Sequence, residues 1–128
     1  MVRRRLILAS ASPRRREILA ALGVEFEVVV TDVEELGDGD PASVVVENAL
    51  RKARAGTEIV GDPDALVLGV DTDVVLDGRV LGKPADEGQA RERLEALSGR
   101  SHEVLSGVAL VGGGERTALA RSAVTFRR

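Results

Sequence analysis

The sequence predicts a single α/β domain, and three observations predict it. Two short apolar runs, Leu6-Ile7-Leu8-Ala9 and Leu66-Val67-Leu68-Gly69-Val70, are unbroken in the manner of strands buried on both faces. Three other segments open on a capping side chain and close at a glycine, as helices do. Asp77-Gly78 stands between two apolar triplets, a strong signal for a type I′ hairpin. At 128 residues the chain is one domain, long enough to bury roughly two-thirds of the surface its unfolded form exposes.

After the strand Leu6–Ala9, Ser12 is a helix N-cap and Pro13 the first helical residue, where a missing N–H costs nothing. This helix runs to about Leu22, with Ile18, Leu19 and Leu22 on one face and Gly23 as its stop. Val24 to Val30 first alternates and then becomes wholly apolar, which predicts a strand entering the core. Thr31 to Asp40 is an acidic loop containing glycine. Asp40-Pro41 repeats the start of cap and proline, and the second helix continues to about Ala55 before Gly56. Its apolar arc holds Val45, Ala49 and Ala53, with Lys52 at the edge of the arc and Arg51 and Arg54 facing away.

The run Leu66–Val70 ends abruptly in Asp71-Thr72-Asp73, which places Asp71 at the carboxyl end of a buried strand, where α/β domains deliver functional side chains. Val74–Leu76 and Arg79–Leu81 form the hairpin, and Gly82-Lys83-Pro84 puts Lys83 on a stiff loop at its exit. Asp86 and Gln89 resemble a capping box opening a third helix, with Ala90, Leu94 and Leu97 as its buried stripe and Gly99 as terminator. Val104 to Val111 reads as a strand, Gly112 to Gly114 as a turn, and Glu115 to Phe126 as the return strand.

The charge pattern points to an anionic ligand. Arg14, Arg15 and Arg16 crowd the first turn of a helix, where the dipole disfavours cations, so a negative partner such as a phosphate group is expected among them. Six arginines and no acid occupy the first sixteen residues, whereas Glu25 to Asp40 holds seven acids and no base. The overall balance is acidic, at −3, and Phe26 and Phe126 are the only aromatics, which argues against a nucleic-acid complex. The absence of cysteine excludes thiol nucleophiles, Cys-ligated zinc and a disulfide framework. The apolar segment after Arg3–Arg5 is too short for a signal peptide or a membrane span, so a cytoplasmic protein with no membrane partner is expected.

Sixteen of the eighteen basic residues are arginine; the two lysines, Lys52 and Lys83, therefore mark positions suited to a compact ammonium. His102, the only histidine, reads as a packed or surface residue, since no second histidine is available for a metal cluster. With the carboxylates Glu34, Glu35, Asp71 and Asp73, these cations supply the parts of phosphoryl chemistry: positive groups for phosphate oxygens, carboxylates for a hydrated Mg²⁺ or an attacking water. Neither a G-x-x-x-x-G-K-[ST] loop nor a G-x-G-x-x-G turn is present, which excludes a P-loop enzyme and a dinucleotide-binding fold of that kind. The residues alone lead to a phosphate-rich small molecule, with hydrolysis within reach of the carboxylates.

At these positions the chain resembles the Maf family of nucleotide pyrophosphatases, historically labelled septum-formation inhibitors. The resemblance rests on Leu6 to Arg15, Val33-Glu34-Glu35, Lys52-Ala53, Gly69-Val70-Asp71-Thr72, Leu81-Gly82-Lys83-Pro84 and Leu97 to His102. It implies a mixed twisted sheet flanked by helices, with a central cleft, related to the inosine-triphosphate pyrophosphatases. It also implies hydrolysis of a nucleoside triphosphate to the monophosphate and pyrophosphate.

By position, Asp71 resembles the catalytic carboxylate that activates water or holds the metal, and Glu34 its partner. Ser10, Arg14, Arg15, Lys52 and Lys83 resemble the triphosphate contacts, and a divalent cation, Mg²⁺ or Mn²⁺, would sit on Glu34 and Asp71. Thr72, with Arg14 a specificity position, resembles the branch acting on dTTP and UTP. The alternatives are the branch favouring 7-methyl-GTP and a nucleotide-binding regulator of division without turnover. Family members run considerably longer, so the resemblance implies that a C-terminal segment with a base-reading glutamine is missing here; it also suggests a homodimer.

Overall fold

The computed structural model describes residues 4–81 and 86–125. In chain order the elements among them are β1 (Leu6–Ala9), α1 (Pro13–Ala21), β2 (Glu27–Val29), α2 (Pro41–Val60), β3 (Leu66–Leu76), β4 (Arg79–Leu81), α3 (Glu87–Leu97), β5 (Ser101–Val111) and β6 (Glu115–Thr125). The six strands form one mixed sheet, in the order β2-β1-β3-β5-β6 with β4 paired to the far end of β3. β1 runs parallel to β2 and β3, while β4 and β5 run antiparallel to β3 and β6 antiparallel to β5.

The helix starts follow the capping chemistry. Ser12, Asp40 and Asp86 each accept a hydrogen bond from the backbone N–H three residues on, of Arg15, Ser43 and Gln89 respectively. The hairpin turn has the two positive φ angles that a type I′ turn requires, 53° at Asp77 and 76° at Gly78.

α2 lies across the sheet and makes the core. Its Ala49 and Ala53 pack with Ile7, Ala9, Ala65, Val67 and Ala109, and its Val45 with Val75 and Leu105. The approach is close because Gly69 and Gly107 lie beneath the helix: a Cβ on Gly69 would stand 2.1 Å from the Ala49 carbonyl oxygen, and one on Gly107 2.3 Å from that of Val45.

Four expectations need correction. The second helix does not stop at Gly56. That residue is buried inside α2, where a Cβ would meet Val67 at 2.8 Å and Ala9 at 3.1 Å, so close packing on the sheet outweighs glycine's poor helix propensity; Gly61, at φ 67°, ends the helix. β2 is an edge strand of three residues with Glu27 and Val28 exposed, rather than one entering the core. The apolar faces of α1 and α3 are largely uncovered: Ile18 and Leu22 are 52% and 70% exposed and Leu94 60%, and only Leu97 of the third helix is buried. No other described element packs extensively against either helix. Finally, β3 does not end at Asp71. It continues through Leu76 because β5 pairs with it as far as Val75 and β4 takes over its other side.

Candidate active site

The continuation of β3 creates the opening that the functional side chains share. On one edge β3 pairs with β1 up to Gly69 and with β4 from Val74 onward, so the stretch Val70–Asp73 faces no strand on that side. β1 leaves the sheet at this point, and its chain turns through Ser10–Ser12 into α1. A gap where adjoining connections part is the usual site of ligand binding in α/β sheets. Successive side chains of β3 point to opposite faces. Asp71 and Asp73 therefore share the face of Gly69, on which α2 lies, while Thr72 projects to the other.

On the helix side, α2 delivers two residues one turn apart. Lys52 Nζ lies 2.8 Å from Glu35 Oε1 and 3.4 Å from Asp71 Oδ1, and donates to the Val70 carbonyl oxygen at 3.4 Å. The open edge of β3 thus has one of its carbonyls capped by the ammonium. Asn48 Nδ2 donates to Asp71 Oδ2 at 3.2 Å. Asp73 has its carboxyl raised above the ordinary range, first by burial and then by the negative charges of Asp71 and Glu35, with Lys52 opposing. Three carboxylates around one ammonium leave a net negative pocket, suited to a further cation.

On the opposite face Arg15 spans the gap. Its Nη1 donates to Ser10 Oγ at 3.2 Å and its Nη2 to Thr72 Oγ1 at 3.3 Å, and the Thr72 hydroxyl lies 3.0 Å from that of Ser106 on β5. Ser10 is buried and also accepts from the Ser12 backbone N–H. Arg14 is exposed and, among the described residues, in no ion pair.

The expected site residues therefore fall into two groups that meet at the Asp71-Thr72 step of β3: Lys52 and Asp71 on one side, Ser10, Arg15 and Thr72 on the other. Lys83 lies outside the described residues. Glu34 is exposed and its carboxylate is not on Lys52; its backbone carbonyl accepts from Arg51 at 2.8 Å, and its neighbour Glu35 makes the ion pair. Asn48 and Ser106 were not singled out from the sequence. Asn48 stands one helical turn before Lys52, a spacing that puts both on one face, and this was the available signal.

Among the described residues no three His, Cys, Asp or Glu side chains converge as a ready-made metal cage. A magnesium-type ion needs less, one or two carboxylates completed by water and phosphate oxygens. The hard oxygen donors of Asp71 and the Glu34-Glu35 segment fit that requirement. No helix among the described residues is long and apolar enough to cross a membrane.

Comparison with known proteins identifies the family. The Maf-like protein family matches residues 5–128. A protein of Symbiobacterium thermophilum named dTTP/UTP pyrophosphatase is 56% identical over 112 residues, 86% of this chain and 57% of the relative. One of the same name from Bacillus cereus is 45% identical over 126 residues, 96% of this chain and 65% of the relative. The chain thus spans less than two-thirds of the length of these relatives. The fold is also that of a Mycobacterium abscessus nucleoside-triphosphatase, a dITP/XTP pyrophosphatase, with TM-score 0.56 and 23% identity over 94% of this chain and 73% of the other. By the family match and these identities, the chain belongs to the Maf-like proteins.

Proposed function

We propose that the protein is a nucleoside triphosphate pyrophosphatase of the cytoplasm, acting on dTTP and UTP with a divalent cation. The observation that carries this reading is the open edge at Val70–Asp73, where cations from α1 and α2 and carboxylates from β3 and the acidic loop converge. The names of the relatives supply the substrate class.

Arg15, preorganised by Ser10 and Thr72, presents a planar fork to phosphate oxygens, and Arg14 adds charge at the start of α1, where free N–H groups also favour an anion. Lys52 places its ammonium on the chain of phosphates from the other side; Lys83 is assigned as a phosphate contact by the resemblance of Leu81-Gly82-Lys83-Pro84 to the family alone. Asp71 takes the proton of a water molecule as its oxygen bonds to the α-phosphorus. The bond from that phosphorus to the bridging oxygen then breaks, and pyrophosphate leaves with the electron pair. Asp71, with a carboxylate of the Glu34-Glu35 segment turned toward it, would hold a Mg²⁺ or Mn²⁺, which would neutralise phosphate charge. The names of the relatives support the dTTP/UTP branch over one for 7-methyl-GTP, and Thr72, its hydroxyl between Arg15 and Ser106, is the residue to which that preference is assigned.

The test is a panel of nucleoside triphosphates incubated with Mg²⁺ or Mn²⁺, with the products resolved. The expected result is monophosphate and pyrophosphate from dTTP and UTP; orthophosphate as the product, or no turnover of any nucleotide, refutes the proposal. Asp71→Asn should lower turnover by about 10²-fold or more while nucleotide still binds. Unchanged turnover removes Asp71 from the chemistry.

A further inference from the structure

Asn48 is 2% exposed, and a buried amide of this kind has to be satisfied by the protein. Its partners are unusual in their reach. Oδ1 accepts from the Leu36 backbone N–H at 2.8 Å, and Nδ2 donates to the Leu36 carbonyl oxygen at 3.2 Å and to Asp71 Oδ2, also at 3.2 Å. One side chain of α2 therefore grips both backbone groups of a loop residue and, with the same amide, a carboxylate oxygen of β3.

Its neighbours extend the grip along that loop. Arg51 donates to the Glu34 carbonyl oxygen at 2.8 Å and is itself held by Glu47, and Lys52 pairs with Glu35. Three side chains from one stretch of α2 thus take three consecutive residues of the acidic loop. Two of these contacts are at a charged end or a part-exposed guanidinium, where water competes; the Asn48 contacts are shielded. The loop between β2 and α2 has no regular structure from Val30 to Asp40, so side-chain hydrogen bonds are what holds its course.

We infer that Asn48 is a positioning residue that couples Asp71 to the Glu34–Leu36 segment, fixing the distance between the two carboxylate-bearing elements of the site. The amide hydrogen bond turns Oδ2 of Asp71 toward α2 and leaves Oδ1 to Lys52, so one orientation of the carboxylate is selected. The same amide holds Leu36 against the helix and with it the carboxylates of Glu34 and Glu35. A loop free of Asn48 would carry those groups at variable distance from Asp71. The inference deepens the proposed hydrolysis and rests on it for its kinetic consequence, but its structural half stands by itself.

Two variants of the 128-residue chain separate the halves. Asn48→Asp keeps the volume and the oxygen that accepts from the Leu36 N–H, but puts a charged acceptor where the amide donates to Asp71 and to the Leu36 carbonyl. Asn48→Ala removes both. Amide hydrogen exchange at Leu36 should quicken tenfold or more in Asn48→Ala and less than that in Asn48→Asp, which keeps the oxygen facing the Leu36 N–H. Turnover of dTTP should fall tenfold or more in both variants, in kcat with little change in KM. Wild-type kcat in Asn48→Asp, which lacks the donor to Asp71, overturns the coupling. Unchanged Leu36 exchange in Asn48→Ala overturns the grip on the loop. Should Asn48→Ala not fold, Asn48→Ser takes its place, its side chain too short to span both Leu36 groups, and unchanged Leu36 exchange there overturns the grip. A wild type that turns over no nucleotide sinks the proposed function alone, and the inference is then decided by the exchange at Leu36.

Discussion

Gly69→Ala tests the contact on which the site is built. An added Cβ would stand 2.1 Å from the Ala49 carbonyl oxygen and 2.9 Å from the Ala53 nitrogen, against 3.4 Å at the near end of ordinary contact, so α2 has to lift from β3 by about 1.3 Å. Both obstacles are helix backbone and cannot rotate aside. Overpacking costs about 1–3 kcal/mol, and here the upper end, about 3 kcal/mol, applies. For a chain of this length each kcal/mol lowers the melting temperature by about 3–5 °C, which predicts a loss of about 9–15 °C. Lifting α2 by that amount also draws Lys52 and Asn48 away from Asp71, whose present separations are 3.4 Å and 3.2 Å. The assay is a thermal melt followed by circular dichroism, with Gly37→Ala as control, since a Cβ at Gly37 meets nothing within 4 Å. A Gly69→Ala protein melting within about 2 °C of wild type refutes the reasoning.

Other perturbations follow from local contacts. Glu27, doubly hydrogen-bonded to Arg5 at 2.7 Å, has its carboxyl lowered chiefly by that bond. A carboxylate with a lowered native pKa contributes stability that is present above its unfolded value of 4.5 and lost as pH falls through the native value. Glu27→Gln should therefore melt below wild type at neutral pH, with the gap closing as acid is added past pH 4.5; a gap that persists at the lowest pH excludes the ion pair as its cause. Arg15→Lys keeps the charge but loses the fork joining Ser10 and Thr72, and should raise the KM for dTTP by about tenfold; an unchanged KM would remove Arg15 from the substrate contacts. Asp40→Ala removes the cap of α2 and should cost about 1 kcal/mol in denaturant unfolding. Equal midpoints would show that proline and core packing alone define that helix start.

The sequence by itself determined what depends on a few neighbouring residues. Ser12, Asp40 and Asp86 cap helices because a short polar side chain reaches an N–H three residues ahead, and Asp77-Gly78 turns a hairpin because both residues tolerate positive φ. The same local logic, arginines at the positive end of a helix, makes an anion the expected partner of Arg14 and Arg15. Gly56 misled for the complementary reason: glycine locally weakens a helix, but here it lets α2 lie on Val67 and Ala9, residues distant in the chain.

Tertiary structure alone decided the rest, because pairing and close approach are set by partners that the local pattern does not name. β5 and β4 carry β3 past Asp71, so the site lies at an open strand edge and not at a strand end. The acidic loop has several carboxylates of equal local character. Only its hydrogen bonds to α2 bring Glu35 to Lys52 and leave Glu34 outward, with Asn48 as the buried link to Asp71.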